Sequence, residues 1–166
     1  MTSKSLPVVH DTVVVERRYP VSPSMVFAAY ADVEQRRRWF FPGERDDWVL
    51  AEMTQDFRVG GVERARFGPR AAPTHWSEGR FLDIVENERV VSAGTMHDGP
   101  RRTSATLFTL ELAAEVDGCR LTITDQSAFL DGREAPQDRR SGWGQITARL
   151  AAHLATGRPP AVPPPS

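Results

Sequence analysis

The sequence predicts an α+β fold: a curved antiparallel sheet of about seven strands around one long C-terminal helix, with two short helices after the first strand. Three observations carry this. Six β-rich stretches follow one another between residues 48 and 129, most of them joined by short turn signals, as consecutive hairpins require. One helical pattern closes the chain, where Trp143, Ile146, Thr147, Leu150, Ala151 and Leu154 recur at spacings of three and four. One further β-rich stretch opens it and is cut off by Pro20, with a helix-start signal directly behind.

Each element has a local reason. In residues 11–19, Val13, Val15, Arg17 and Tyr19 alternate with Val14, Glu16 and Arg18. Ser22-Pro23 then supplies an N-cap and a first-turn proline. Val26, Phe27, Ala29, Tyr30 and Val33 follow at helical spacing, and Asp32 is placed to cap a second short helix running through Arg38. Trp48 to Arg58 reads as a strand, Val59-Gly60-Gly61 as a tight turn, and Val62 to Phe67 as the hairpin partner, ended by Gly68-Pro69. His75 to Val85 and Arg89 to Met96 flank the Asn87-Glu88 turn, and Asp98-Gly99-Pro100 breaks the chain again. From Ser104 to Ala114 the residues Thr106, Phe108, Leu110 and Leu112 share a face. Asp117-Gly118 is a strong hairpin signal. Arg120 to Phe129 is the last strand, with Leu121 and Ile123 opposite Thr122 and Thr124. Ala135-Pro136 starts the final helix and Gly157 fits its C-terminal cap. Gly142 and Gly144 weaken that helix and serve either close backbone packing or an irregular first turn.

A length of 166 residues suits one domain with tails: a core domain over 11–156, a flexible N-terminus over 1–10, and a disordered tail over 157–166 holding five of the 13 prolines. A net charge of −1 argues against nucleic-acid binding. No apolar run reaches the roughly 18 residues of a membrane span, and no secretory signal opens the chain, so a cytoplasmic protein is the expectation. The lone Cys119 excludes a disulfide within the chain and reads as an incidental thiol. Histidines 10, 75, 97 and 153 lack metal-ligand spacing, no GxSxG occurs, and nothing calls for a cofactor or metal. Gly60-Gly61 lies between strands and reads as a hairpin rather than a phosphate loop. Arg36-Arg37-Arg38 reads as a solvated helix face.

Five stretches together resemble a known family. They are Glu16 to Pro23, Ala31 to Phe40, Phe57 to Gly61, Gly79 to Val85 running on through Val91, and Arg120 to Thr124 leading to the 143–154 helix. In order and spacing they resemble the START-like (SRPBCC, helix-grip) superfamily, in the branch named after the activator of the Hsp90 ATPase. The resemblance covers about residues 11–156. It implies a seven-stranded antiparallel sheet gripping the C-terminal helix, with a deep, mostly apolar cavity between them. Relatives bind lipids, polyketides, sterols or hormones, some cyclise aromatic polyketides, and the eponymous protein stimulates a chaperone. Fold therefore does not decide function.

The candidate site follows from the aromatic residues. Trp39, Phe40, Phe41, Trp48, Phe67, Trp76, Phe81, Phe108, Phe129 and Trp143 are spread over the short helices, the sheet and the last helix. Aromatic walls suit planar or lipid-like ligands. Tyr30, Met96, Ile146, Thr147 and Leu150 complete the apolar set. Trp39, Phe40 and Phe41 precede Pro42-Gly43 and read either as a rim of the cavity mouth or as a staple of the short helices to the sheet. Glu78, Arg80, His75, His97, Asp125 and Gln126 are the polar candidates. Asp125 shares parity with Leu121 and Ile123 and is expected to point inward. On the His75 strand, Trp76, Glu78 and Arg80 share one face, and His75, Ser77 and Phe81 the other; which face is inward is open. The leading expectation is a monomeric or homodimeric protein that holds a small hydrophobic ligand. A cyclase or aromatase using Glu78 or Asp125 as acid-base group is the first alternative, and a chaperone-associated module the second.

Overall fold

The computed structural model describes residues 6–41 and 47–156. The expected Pro42-Gly43 turn, the Gly157 cap and the proline-rich tail lie outside the described residues. The elements run β1 (Val9–Tyr19), α1 (Pro23–Ala31), α2 (Val33–Trp39), β2 (Trp48–Gln55), β3 (Val62–Pro69), β4 (His75–Val85), β5 (Arg89–Asp98), β6 (Arg101–Glu115), β7 (Gly118–Phe129) and α3 (Pro136–Thr156). This is the order predicted. β1 starts at Val9, ahead of the expected Asp11, and β2 stops at Gln55 rather than Arg58. β2 stops early because Phe57 turns into the core, where its ring meets Phe27, Tyr30 and Phe81 edge-on.

The seven strands form one antiparallel sheet in the order β1-β7-β6-β5-β4-β3-β2. Five of the six pairings are hairpins between consecutive strands; β1 joins β7 from the far end of the chain. Asn87 takes a left-handed φ of 63° in the β4–β5 turn, a conformation asparagine tolerates better than most residues. The capping expectations divide. The Asp32 carboxylate accepts from the Glu34 N–H and caps α2. Ser22 occupies the N-cap of α1 but bonds Ser24 instead of the backbone.

One face of the sheet is lined by Val13, Phe81, Val90, Phe108, Leu110, Leu121 and Ile123, and α1, α2 and α3 pack on it. The C-terminal half of α3 contributes Leu150 and Leu154, and Tyr19 at the end of β1 donates to the Thr147 carbonyl at 2.9 Å. No helix among the described residues is long and apolar enough to cross a membrane. Because Leu150 is fully enclosed, Leu150→Ala is expected to lower the unfolding free energy by about 2–5 kcal/mol, read from urea denaturation curves.

Candidate ligand-binding site

The cross-strand register explains why a space exists under α3. Strand partners on the inner face form rows. One row reads Glu63, Gly79, Gly94, Thr106, Ser127 across β3 to β7. The rows on either side read Phe81, Ser92, Phe108, Asp125 and Ser77, Met96, Ser104, Phe129. Two glycines and two serines on β4 and β5 thus put almost no side-chain volume beneath the start of α3. The result is a cavity of about 390 Å³, within the usual range for small-molecule sites. Its walls are Tyr30, Phe40, Phe41, Trp48, Phe67, Phe108, Trp143 and Ile146. Tyr30 stacks on Phe108, and Phe108 on Trp143, so one wall is a continuous aromatic surface.

Each end of the glycine row is closed by an arginine from a helix. At the β7 end, Asp125 is only 1% exposed. Its Oδ2 accepts from Arg139 Nη1 at 3.0 Å and from Trp143 Nε1 at 2.7 Å, and its Oδ1 accepts from Ser127. Arg139 also donates to both Glu134 oxygens, at 2.6 and 3.0 Å, and to Ser104, Thr106 and Ser127. Burial works against the Arg139 charge, but these acidic partners outweigh it and push its pKa up. The cluster is saturated, and it pins the first turns of α3 to β6 and β7.

At the β3 end, Arg36 is 4% exposed. It donates to Gln55 at 2.7 Å and to Glu63 Oε2, and its guanidinium lies 4.2 Å from the Tyr30 ring centre and 4.4 Å from that of Phe40. Burial again opposes its charge and Glu63 again outweighs burial, so the pKa is raised. Arg36 therefore corrects the reading of a solvated arginine face. It turns inward because α2 lies over β2 and β3, where Glu63 and Gln55 wait, while Arg37 reaches the Met53 carbonyl and Arg38 stays exposed.

Of the aromatic, apolar and polar residues expected at the site, Tyr30, Phe40, Phe41, Trp48, Phe67, Glu78, Met96, Phe108, Asp125, Trp143 and Ile146 border the cavity. Glu78 does so from the other face of β4, where its carboxylate pairs with Arg64. Six residues lie elsewhere. Trp39 is core, its Nε1 donating to the Ala29 carbonyl, and Phe41 is buried against Met53 and Ala65, an arrangement that matches the staple alternative better than the rim for these two residues. Phe81 and Leu150 are fully enclosed, and Thr147 bonds back to the Trp143 carbonyl. Phe129 lies beneath Arg139, whose guanidinium is 5.3 Å from its ring centre. Trp76 is on the outer face, stacked on His97 at 3.5 Å between ring centres. Among the other polar candidates, Gln126 lines an outer-face groove and Arg80 reaches the Gly60 carbonyl. His75 stacks on Trp48 and Phe67. The residues not anticipated at the cavity are chiefly Arg36, Glu63 and Arg139. Gly142 borders the space, and neither it nor Gly144 packs closely against a neighbour. Among the described residues no group of three acidic, histidine or cysteine side chains is arranged to hold a metal.

A seven-stranded antiparallel sheet gripping a long C-terminal helix, with a cavity between them, defines a START-like, helix-grip protein. The chain belongs, more narrowly, to the family of activator of Hsp90 ATPase homolog 1-like proteins, whose model matches residues 20–155. Among solved structures, it is 41% identical to the Mll3558 protein from Rhizobium loti, with 89% of this chain and 99% of that one covered and a TM-score of 0.81. It is 32% identical to a protein from Rhizobium leguminosarum, covering 91% and 98%, with a TM-score of 0.84. DynU16, a protein of the dynemicin biosynthetic locus, shares the fold at 21% identity and a TM-score of 0.63; the match covers 90% of this chain and 49% of that one. A search of curated proteins finds no match.

Two expected outcomes test the site's electrostatics. Arg139→Met leaves Asp125 buried without its cation and is expected to cost about 3–5 kcal/mol in urea unfolding. Burial and Arg102 together hold His97 below its ordinary pKa of 6.5, with Glu78 opposing. As pH falls through that value the unfolded chain takes up a proton that the folded chain does not. Stability therefore declines on acidification from about 6.5 toward the lower folded pKa. His97→Phe, which keeps a ring against Trp76, is expected to flatten the decline. The flattening is partial because His153 is shifted in the same direction, by burial and then Arg38. Chemical unfolding at a series of pH values reads both.

Proposed function

We propose that the protein binds a small hydrophobic ligand, aromatic or lipid-like, in the cavity between the sheet and α3. The observation that carries this is the row of small residues on β4 and β5, which leaves an aromatic-walled space between the sheet and α3. Transfer of apolar ligand surface out of water is worth about 25 cal/mol per Å² before association costs. A flat aromatic wall favours planar ligands. Membership of the family is consistent with this reading.

The acid-base chemistry required by a cyclase finds no support at the two residues named for it. The Asp125 carboxylate is committed to Arg139, Trp143 and Ser127. Glu78 is committed to Arg64 on the outer face. The carrier reading therefore stands ahead of the enzyme reading.

The test is a titration of isotope-labelled protein with fatty acids, sterols, flavonoids and polyketide aromatics, followed by NMR. Shifts are expected at the indoles of Trp48 and Trp143 and along residues 142–149, with the indole of Trp76 on the outer face unmoved. Ile146→Trp, which puts a larger ring into the space, is expected to weaken the best ligand at least tenfold while leaving the circular dichroism spectrum unchanged. A flat response across the library would overturn the ligand reading and bring the chaperone-associated alternative forward.

A further inference from the structure

The two arginine clusters differ in one respect. Arg139 and Asp125 satisfy each other and their neighbours. The Arg36 cluster is half open. Arg36 takes Glu63 Oε2, and no hydrogen bond among the described residues involves Glu63 Oε1. That oxygen lies over the cavity floor, 3.2 Å from where a Cβ on Gly79 would stand, so the glycine makes room for it. The Tyr30 hydroxyl is likewise without a partner among the described residues, although Tyr30 is only 2% exposed. Both residues line the cavity, and neither atom is among the fully enclosed side-chain polar atoms without a partner, which among the described residues are Arg36 Nε and Arg101 Nε.

These two atoms have opposite abilities. Glu63 takes the Arg36 guanidinium through Oε2, which leaves Oε1 of the carboxylate as an acceptor. Burial pushes the Tyr30 phenol up, so it stays protonated and donates. Arg36 links the two residues, bonded to Glu63 and lying 4.2 Å from the Tyr30 ring centre, so an aromatic-walled cavity is lined by one acceptor and one donor about the same guanidinium. The Arg36–Glu63 pair is neutral overall. A cationic ligand there meets the guanidinium, and an anionic one meets Oε1. A neutral hydroxyl fits both, because one oxygen donates and accepts together.

We propose that Glu63 and Tyr30 form a hydroxyl-recognition subsite, with Glu63 Oε1 accepting from, and Tyr30 donating to, a phenolic hydroxyl on a planar aromatic ligand. This rests on the ligand-binding reading above and names the ligand's chemical class. Phe40 and Phe108 line the same cavity, and Gly79 and Gly94, the next two members of the row that starts at Glu63, leave its floor without side chains.

The test uses three matched probes, β-naphthol, its methyl ether and β-naphthoate, by isothermal titration calorimetry on the full-length protein. The wild type is expected to bind the naphthol at least tenfold more tightly than the ether, as a hydrogen bond to a charged acceptor warrants, and the naphthoate no better than the ether. Glu63→Gln lets the amide oxygen serve Arg36 and turns an N–H₂ toward the ligand. It is expected to bring naphthol and ether within about twofold of each other. Tyr30→Phe keeps the ring stack on Phe108 and is expected to weaken both by several-fold while preserving the preference. Equal wild-type binding of naphthol and ether overturns the subsite and leaves the cavity reading intact. Tight naphthoate binding also overturns it. Failure of all three while the wider library binds overturns the aromatic assignment, and failure of everything overturns the ligand reading itself. If Glu63→Gln does not fold by circular dichroism, the wild-type comparison and Tyr30→Phe decide.

Discussion

The buried bond set between Asp125 and Arg139 is the constraint on which the rest of the architecture hangs. A helix laid over a sheet is normally held by apolar side chains that fill the gap between them. Here the sheet beneath the first turns of α3 carries serine, glycine and threonine, so that half of the helix has little to rest on. Leu150 and Leu154 hold the other half in the ordinary way. The polar clasp of Asp125, Arg139 and the Trp143 indole replaces packing where packing is missing. Ion pairs seldom add stability over a well-packed apolar contact. What this one supplies is position: it keeps the helix at a fixed height above an empty floor.

The second buried arginine does a related task from the opposite side. Arg36 ties α2 to β2 and β3 through Gln55 and Glu63, and Gln55 in turn donates to the Ala31 carbonyl at the end of α1. The short helices are therefore anchored by polar bonds as well as by Trp39 and Tyr30. The cavity is apolar along its walls and ionic at its ends. Its polar groups are set by the backbone register rather than by flexible loops, which is the condition for a pre-organised site.

Much of this was legible in the residues. Alternation placed Phe108, Leu110, Leu121 and Ile123 on one face and turned Asp125 inward with them, because on β7 burial follows a strict period of two. On β4 the same signal gave two sets without saying which faces the core. Gly79 leaves a blank in the inner set, and Trp76 is an aromatic on the outer one, hidden there by His97 rather than by the core. The ion pairs of the site were illegible for a different reason. Arg36 and Glu63, and Arg139 and Asp125, meet only through pairings between distant segments, and an arginine in a run of arginines carries no mark of burial. The run Trp39-Phe40-Phe41 reads equally as rim or as staple, and only the fold decides for Trp39, whose indole the Ala29 carbonyl holds in the core.

The place of β1 bears on how the molecule comes into being during synthesis. Its partner is β7, so Val9 waits for Phe129, and the first strand made is among the last to be paired. Hairpins β2 to β7 can zip up in order as they emerge, each closing a short loop, whereas the β1 pairing closes the longest one. The helix that roofs the cavity comes later still. Until α3 leaves the ribosome, Tyr30, Phe108 and the small-residue floor face water together, without the Trp143 and Ile146 that complete the walls. A nascent chain of this kind displays the sheet side of its cavity before it can enclose it, and a molecule held there would be folded in rather than admitted afterwards.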